Sequence, residues 1–262
     1  MSSKSFSVII PLFNKKEYIL RTVQSALSQS TNADEVIVVD DGSTDGGANV
    51  LSVITDDRLK IIRQKNSGVS CARNNGIRYA IGNWIAFLDA DDFWHHDHLS
   101  ELARVIDKYP SSGLVSTHYK KVESHLITGA SHYFSDNPGV IQTIDYLATA
   151  YDGYNRVSAS SVAVKKFILN EIGGFMETIT YGEDIELWTR LALHYPVSAS
   201  TRVTSVYVTN TGGLMDSLSS TVDPTQLPCR IDSLSPALST IFRYLDEHPQ
   251  PKMPKEIRAH IN

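Results

Sequence analysis

The first half of the chain alternates short apolar runs with segments whose apolar residues recur every three or four positions. Runs of the first kind predict buried strands, and segments of the second kind predict helices that pack one face on a core. Strands are predicted at residues 7–10, 35–39, 59–62, 84–88 and 113–118, and helices at 17–29, 68–80 and 97–109. Such alternation favours an α/β fold in which helices cover both faces of a mostly parallel sheet.

The alternation of strand-like and helix-like segments is less regular beyond residue 119. Residues 119–134 predict a hairpin, 141–150 a helix, 158–164 a strand, 183–193 a helix and 198–208 a strand. The stretch 212–228 is rich in Gly, Ser, Thr and Pro and predicts a loop. A last helix is predicted at 234–245, and the polar tail from residue 248, with its three prolines, is expected to be partly disordered.

Composition narrows the class of protein. The chain has 262 residues, of which 42% are hydrophobic and 20% charged, as in ordinary globular proteins. A net charge of −5 argues against a nucleic-acid-binding protein, whose surface is basic. Cys71 and Cys229 form no Cys-x-x-Cys pair, which argues against a disulfide framework and suits a reducing cytoplasm. No stretch approaches the roughly 18 apolar residues needed to span a bilayer.

Acidic residues follow two of the predicted strands. Asp40 and Asp41 end one apolar run, and Asp89, Asp91 and Asp92 end another. The carboxyl ends of parallel strands meet at the crevice where open α/β sheets bind ligands. On a strand, Asp89 and Asp91 would point the same way, and such a pair repels unless a cation lies between them. Carboxylate oxygens favour Mg²⁺ or Mn²⁺, so the sequence predicts a divalent cation site suited to a diphosphate.

Five motifs occur in a characteristic order: Val8-Ile9-Ile10-Pro11-Leu12-Phe13-Asn14, Val38-Val39-Asp40-Asp41-Gly42-Ser43-Thr44-Asp45, Asn66-Ser67-Gly68-Val69-Ser70-Cys71-Ala72-Arg73-Asn74-Asn75-Gly76, Leu88-Asp89-Ala90-Asp91-Asp92, and Gly173-Gly174-Phe175 followed by Gly182-Glu183-Asp184-Ile185-Glu186-Leu187-Trp188. This ordered set, from about residue 7 to residue 188, resembles glycosyltransferase family 2. Members of that family are inverting transferases with the Rossmann-like GT-A fold, and they most often use UDP-sugars.

The resemblance implies roles for residues on the donor side. Pro11 and Phe13 are expected to border the nucleobase. Asp41 is expected to bind the uracil N–H, because a carboxylate accepts hydrogen bonds and donates none. Arg73 is expected near the base and the diphosphate, where a guanidinium offers a planar pair of donors. Asp89 is expected near the ribose hydroxyls.

The metal site follows from the same resemblance. Asp91 is expected to bind Mn²⁺ or Mg²⁺ directly, with Asp92 supporting it from behind. Many relatives carry a His after the last strand that helps to bind the metal or phosphate. Here Asn210 falls at about that position, which leaves the third protein ligand open. A loop at 212–220 is a further candidate, as a lid over the donor.

Asp184 matches the catalytic base of the family. A carboxylate within hydrogen-bond reach of an acceptor hydroxyl takes its proton as the new bond forms. Glu183 and Trp188 are expected to support the site or to lie on its acceptor side, although Trp188 also suits a core position. Tyr133, Phe134, Tyr151 and Tyr154 are either sugar-stacking or core residues.

The resemblance also implies an organisation and a setting. Residues 1–118 would form the nucleotide-sugar-binding half of the GT-A domain, 119–222 the acceptor-side half, and 223–262 a C-terminal helical or loop appendage. We expect a glycan or lipid-linked acceptor, and a role in surface polysaccharide or glycoconjugate synthesis. The expected location is the cytoplasm, with peripheral contact at the inner membrane face and the oligomeric state left open.

Some of these residues have plainer interpretations. Asp41 suits the cap of the next helix, and Asp184 suits a helix start. Arg73 suits a surface ion pair. The histidines that follow the acids invite a zinc assignment, but their spacing favours the start of a surface helix: His95, His96 and His98.

Other functions compete with the transferase. A phosphohydrolase with an Asp-x-Asp strand end expects Thr or Val where Phe93 stands, and expects the motif on its first strand. A sugar nucleotidyltransferase expects a Gly-rich basic signature that residues 11–16 lack. The alternative that remains is a non-catalytic nucleotide-sugar-binding or scaffold protein, which Asn210 favours and which Asp91 and Asp184 oppose.

Overall fold

A computed structural model gives the structure of the protein and describes residues 4–127, 131–151, 157–212, 240 and 247. Its strands are β1 Phe6–Leu12, β2 Glu35–Asp40, β3 Leu59–Arg63, β4 Trp84–Phe87, β5 Phe93–Trp94, β6 Leu114–Glu123, β7 Ile141–Ile144, β8 Val162–Lys165 and β9 Val197–Thr209. Its helices are α1 Lys16–Leu27, α2 Gly47–Val50, α3 Val69–Tyr79, α4 His98–Lys108, α5 Tyr146–Tyr151, α6 Lys166–Ile172 and α7 Glu183–Ala192. Single 3₁₀ turns occur at Leu51–Val53, Ser124–Leu126, Ser131–Tyr133 and Ala159–Ser161.

These strands form one mixed sheet in the order β3-β2-β1-β4-β8-β6-β9-β5, with β7 also paired to β9. Strands β3, β2, β1 and β4 are parallel neighbours, β8 runs antiparallel between β4 and β6, and β6 and β9 are parallel again. Both predicted halves of the chain contribute strands to this sheet, and their division at residue 118 stays a prediction. The predicted α/β class with a mostly parallel sheet is confirmed.

Hydrophobic cores on both faces of the sheet explain the continuous apolar strands. Val8 and Ile10 point to the face covered by α1 and α4, and their cluster includes Val23 of α1. Ile9 points to the other face and clusters with Leu187 of α7. A strand that is buried on both faces has no polar side, so its sequence reads as an apolar run rather than an alternation.

Two predictions in the second half of the chain are wrong. Instead of a hairpin at 119–134, β6 continues to Glu123 in parallel pairing with β9, and 3₁₀ turns follow in the described part of the stretch. The helix predicted at 141–150 is divided, because Ile141–Ile144 pairs antiparallel with β9 and only Tyr146–Tyr151 is helical. In both segments, pairing with β9 determines the secondary structure. The local pattern of apolar residues does not indicate pairing with a strand so distant in sequence.

Other predictions need smaller corrections or lie outside the description. The strand predicted at 158–164 begins with a 3₁₀ turn capped by Ser158, and β8 follows it. Apart from Gly212, Thr240 and Glu247, the predicted loop, the last helix, the tail and the whole C-terminal appendage lie outside the described residues. In the part of the chain that is described, none of the helices has the length and apolar character needed to cross a membrane.

Close packing of α3 on β1 gives a test of the fold. A Cβ on Gly76 would lie 2.6 Å from Cγ2 of Ile9. We expect Gly76→Ala to lower the free energy of unfolding by about 1–3 kcal/mol, because the core must shift to admit the methyl group. Urea denaturation measures this, with Cys71→Ala, at a partly exposed position of the same helix, as the control. Equal midpoints for Gly76→Ala and the wild type would contradict the packing.

Candidate active site

The acidic loop, defined here as residues 88–92, begins where β4 ends at Phe87. The chain then turns, and the backbone N–H of Asp92 donates to the carbonyl of Asp89 at 3.1 Å. Because this segment has left the sheet, its side chains do not alternate between two faces as the sequence suggested. Asp89, Asp91 and Asp92 instead reach three different sets of partners.

Asp92 is buried and binds two distant elements. Its Oδ1 accepts a hydrogen bond from the Val208 N–H of β9 at 2.8 Å, and its Oδ2 accepts one from the Ser160 hydroxyl. Burial, followed by the charges of Asp91 and Asp89, raises the pKa of the Asp92 carboxyl well above its usual range. Asp92 therefore fastens the acidic loop to β9 from the interior of the protein.

Ser160, in the 3₁₀ turn Ala159–Ser161, connects the acidic loop to the rest of the site. Its hydroxyl also accepts from the Asp89 N–H at 3.0 Å, and its carbonyl accepts from Trp94 Nε1 at 2.6 Å and from the Ser205 hydroxyl at 2.7 Å. Sequence reasoning missed this residue, because a serine among other small residues has no motif. The only signal was a small polar stretch at the start of the predicted strand 158–164.

Asp91 faces a lysine that the sequence did not single out. The Lys15 Nζ lies 2.7 Å from Asp91 Oδ2, and the Thr211 hydroxyl donates to the same oxygen at 2.6 Å. From the other side, Arg21 donates to the Asp91 carbonyl at 2.8 Å. The carboxylate of Asp91 is a hard oxygen ligand of the kind that divalent cations prefer. Its surroundings already accommodate one positive charge, that of Lys15.

The residue after the last strand that contacts Asp91 is not Asn210 but its neighbour. Asn210 lies just beyond β9 with a positive φ of 59°, and its amide donates to Glu123 Oε2 at 3.2 Å. Thr211, the next residue, is the one that contacts Asp91. Sequence alignment by motif cannot resolve this difference of one residue, because the left-handed turn at Asn210 decides which side chain faces the acidic loop.

The histidines beyond the acidic loop do not form the predicted alternative of a three-histidine zinc site. His98 begins α4, but it is buried, with Nδ1 2.8 Å from the Thr204 hydroxyl, and burial lowers its pKa to about 3. Among the described residues, ligand atoms of His95, His96 and Asp97 lie within 4.8 Å of one another. Arg202 already pairs with Asp97 at 2.9 Å, so this cluster has its own counter-ion. The helix starts close to the predicted residue, and His96 is exposed as predicted, whereas the predicted surface position of His98 is wrong.

Asp41 organises the loop that precedes α3. Its carboxylate accepts hydrogen bonds from Gln64 Nε2, the Ser67 N–H and the Gly68 N–H, each at 2.8 Å. It does not cap the next helix α2, whose cap is Gly46, so that plainer interpretation is wrong. A carboxylate has about four acceptor positions, and the described residues use three of those on Asp41.

The first-strand residues of the predicted donor site lie at the end of β1. Pro11 is a buried residue of the strand, and Phe13 follows it with 45% of its surface exposed. Asn14 then adopts a left-handed conformation, and its side chain accepts from the Thr44 N–H at 2.8 Å. The loops after β1 and β2 are thereby held next to each other, with an open aromatic face at their edge.

Arg73 joins the two acidic segments. It is 2% exposed, and its two terminal nitrogens donate to Asp89 Oδ1 and Glu183 Oε1 at 2.7 Å each. Burial lowers the pKa of Arg73, but Asp89, Glu183 and Asp184 outweigh it and hold the pKa above its ordinary value. The interpretation of Arg73 as a partner in a surface ion pair is therefore wrong. Both terminal nitrogens of its guanidinium, which was expected near a diphosphate, donate to carboxylates.

Asp184 lies in the first turn of α7 and is partly buried. Burial raises the pKa of its carboxyl to about 6, with Glu183 adding to the effect and Arg73 opposing it. Burial is the main cause that raises the pKa values of Tyr119 and Tyr146, and the charge of Asp184 is the second cause. Both phenols therefore lie within electrostatic reach of Asp184. An acid with this pKa is a carboxylate at pH 7 and still basic enough to take a proton.

The described aromatic residues among the acceptor-side candidates pack in hydrophobic cores. Trp188 is fully buried against Phe87 and Phe175, with ring centroids 5.9 Å from each, so it supports α7 by packing and does not face an acceptor. Tyr133 and Phe134 pack on Phe93 in a separate small core. Their core interpretation is therefore correct. The Tyr151 side chain and all of Tyr154 lie outside the described residues.

Comparison with known proteins identifies the family. Residues 7–165 match the sequence model of Glycosyl transferase family 2. The chain belongs to this family. It is 31% identical over 194 residues to an uncharacterized glycosyltransferase of Rickettsia felis, covering 71% of this chain and 30% of that protein. It is 43% identical over 98 residues to the putative teichuronic acid biosynthesis glycosyltransferase TuaG of Bacillus subtilis, covering 36% of this chain and 39% of that one.

Solved structures support the fold assignment. The structure superposes on S. aureus TarS 1-349 in complex with UDP-GlcNAc with a TM-score of 0.68, covering 96% of this chain and 68% of that one at 20% identity. This similarity confirms the GT-A fold expected from the motifs. The chain spans about a third of the length of the two curated relatives described above, so it corresponds to part of those proteins.

The environment of Asp92 predicts losses of different size for two substitutions. Burial disfavours the charged form of this carboxyl, so the neutral and isosteric Asp92→Asn is expected to lower the free energy of unfolding less than truncation to alanine does. Asp92→Ala leaves the Val208 N–H and the Ser160 hydroxyl without an acceptor, and is expected to cost about 2–4 kcal/mol. Urea denaturation measures both, with substitutions of the exposed Asp57 as controls. Equal losses for the two variants would contradict the assignment.

Proposed function

We propose that this member of family 2 is a metal-dependent inverting glycosyltransferase, which moves a sugar from a UDP-sugar to a hydroxyl of a glycan or lipid-linked acceptor. One observation carries the proposal. The buried Arg73 pairs with Asp89 at the end of β4 and with Glu183 at the start of α7. The predicted donor side and the predicted base, Asp184, therefore belong to one continuous charged network.

The donor is bound from the ends of the first two strands. Phe13 offers an exposed ring to the nucleobase beside Pro11. Asp41 accepts the uracil N–H at an acceptor position other than the three used by its internal hydrogen bonds. Asp89 binds the ribose hydroxyls with the oxygen not used by Arg73. The structural relative TarS has been crystallised in complex with UDP-GlcNAc, which supports a UDP-sugar as donor.

Asp91 is the residue that would hold Mn²⁺ or Mg²⁺. When bound there, such a cation neutralises the negative charge that builds up on the departing diphosphate. Asp92 and Ser160 hold the acidic loop in the shape that presents the Asp91 carboxylate. The partial exposure of Asp91, 16% for its side chain, leaves this carboxylate accessible from solvent.

Asp184 acts as the general base. The acceptor oxygen forms the new bond to the anomeric carbon while the bond from that carbon to the diphosphate oxygen breaks. The hydroxyl proton moves to the Asp184 carboxylate, and the bonding electron pair leaves with UDP. A pKa of about 6 suits this step, because the group is ionised at neutral pH and a stronger base than an ordinary aspartate.

The setting of the reaction is part of the same proposal. Similarity to TuaG, a putative teichuronic acid biosynthesis glycosyltransferase, supports an acceptor in surface polysaccharide or glycoconjugate synthesis. Near Asp184, Tyr119 of β6 lies beside Tyr207 of β9, with ring centroids 6.4 Å apart, and these rings provide an aromatic wall for an acceptor sugar. The unpaired cysteine at position 71 suits the cytoplasm, and contact with the inner membrane face would bring a lipid-linked acceptor to the site.

Two substitutions separate binding from chemistry. Asp91→Asn is expected to abolish metal-dependent UDP binding, because the amide is a much weaker ligand than the carboxylate. Asp184→Asn is expected to keep UDP binding and to lower UDP release from UDP-sugars by at least about a hundredfold, since it cannot accept the proton. Calorimetry with UDP and Mn²⁺ measures binding, and release from UDP-GlcNAc, UDP-glucose and UDP-galactose measures turnover.

Asp57→Asn, an exposed change of the same kind, is the control for both assays. Normal turnover by Asp184→Asn would refute the base assignment. A wild type that binds UDP with Mn²⁺ but releases none from any of these donors, with glycan and lipid-linked acceptors present, would favour the non-catalytic nucleotide-sugar-binding alternative.

The pH dependence of turnover tests the environment of the base. Because Asp184 must be ionised, the rate is expected to rise with pH through about 6. Glu183→Gln removes a like charge and releases one end of Arg73, and both effects lower the pKa of Asp184. The acid limb is therefore expected to move to lower pH in this variant. Glu171→Gln, at an exposed position, is the control, and an unmoved limb in Glu183→Gln would contradict this origin of the raised pKa.

A further inference from the structure

Lys15, between β1 and α1, is held by close contacts to two distant segments of the chain. It occupies the N-cap position of α1, directly after Asn14, whose backbone is left-handed, and its side chain is only 13% exposed. Its ammonium group contacts three oxygens: Asp91 Oδ2 at 2.7 Å, the Thr211 hydroxyl at 2.8 Å and the Thr211 carbonyl at 3.0 Å. Lysines are almost never this buried unless they are paired, so the contact is a specific one.

Two of the three contacts are hydrogen bonds and the third is an ion pair. The ammonium group donates to the hydroxyl and the carbonyl of Thr211, and its charge pairs with Asp91 Oδ2. The Thr211 hydroxyl, in turn, donates to the same Asp91 oxygen at 2.6 Å. Lys15, Asp91 and Thr211 therefore form a closed triangle that joins the loop after β1, the acidic loop and the end of β9.

A metal on Oδ2 of Asp91 is incompatible with this triangle. Mg²⁺ binds its oxygen ligands at about 2.1 Å, and an ammonium group within about 3 Å of the same oxygen would repel it strongly. We propose that Lys15 and the divalent cation exchange places on Asp91: Lys15 neutralises the carboxylate before the donor arrives, and then moves to the diphosphate when the metal binds. This inference rests on the metal site of the proposed function.

The exchange gives Lys15 two opposite effects on binding. On the free protein it competes with the metal, so it weakens binding of the bare cation. In the loaded site its charge is released beside the phosphates, where a lysine acts as a point charge for phosphate oxygens. A lysine with a purely structural role would have neither signature, because its loss would weaken both kinds of binding or leave both unchanged.

The test is the substitution Lys15→Met, which keeps an unbranched side chain of nearly the same length and removes its charge. We expect this variant to bind Mn²⁺ alone on the order of tenfold more tightly than the wild type, since a unit charge beside a divalent ion has effects of this size. In saturating Mn²⁺ we expect it to bind UDP on the order of tenfold more weakly. Mn²⁺ binding is measured by electron paramagnetic resonance without nucleotide, and UDP binding by calorimetry.

Two matched variants complete the experiment. Lys16→Met removes the same charge from the adjacent, exposed residue, and both affinities are expected to stay within about twofold of the wild type. Lys15→Arg keeps the charge, and its Mn²⁺ affinity is expected to remain as weak as in the wild type. Thermal unfolding of all three variants checks that the fold is retained.

The outcomes distinguish this inference from the proposed function. Unchanged or weaker Mn²⁺ binding in Lys15→Met would overturn the competition, and unchanged UDP binding would overturn the transfer to the diphosphate. Equal effects of Lys15→Met and Lys16→Met would also overturn it, because they would reflect net charge alone. Failure of the wild type to bind UDP with Mn²⁺ would instead count against the proposed function, and the Mn²⁺ titration without nucleotide would still decide the competition.

Discussion

The Arg73 guanidinium is buried between Asp89 and Glu183, with a carboxylate oxygen 2.7 Å from each terminal nitrogen. A buried arginine is tolerated only when its charge is compensated, because removal of such a charge from water costs several kcal/mol. The two pairs therefore require α3, the acidic loop and the start of α7 to hold one relative position. The same positive charge opposes the effects of burial and of Glu183 on Asp184, so it limits the rise in the pKa of Asp184.

Around this ion pair, each acid of the acidic loop has a different environment and a different task. Asp89 compensates Arg73, Asp92 is buried as a fastening to β9, and Asp91 is left partly exposed with Lys15 against it. Ser160 binds the first two and fixes the shape of the loop. Three like charges within four residues are tolerable because each has its own partners, and because burial favours the neutral form of one of them.

The sequence was sufficient for most strands and helices of the first half, and for the positions of the acids at the ends of β2 and β4. Strands such as β1 and β2 are buried on both faces, so their apolar runs are unambiguous. It could not indicate that β4 stops at Phe87, which is why the shared direction expected for Asp89 and Asp91 was wrong. Strand β5 was missed because two residues are too short to show a period.

The partners of the site residues were also beyond prediction from local pattern. Lys15 contacts Thr211 across 196 positions of sequence, and the Ser160 hydroxyl reaches Asp92 across 68. Such contacts are set by the folding of the whole sheet, and the local sequence contains no periodic sign of them. Motif order identifies which acids matter, whereas the structure identifies what each acid touches.

Calorimetric titration of the wild-type protein with UDP, with and without Mn²⁺, and in parallel with GDP and dTDP, is the most direct test of the proposed donor site. We expect binding that requires Mn²⁺ and that prefers UDP to both other nucleotides, because Asp41 faces the base and Asp89 the ribose in that site. Absence of binding to every nucleotide in the presence of Mn²⁺ would contradict it.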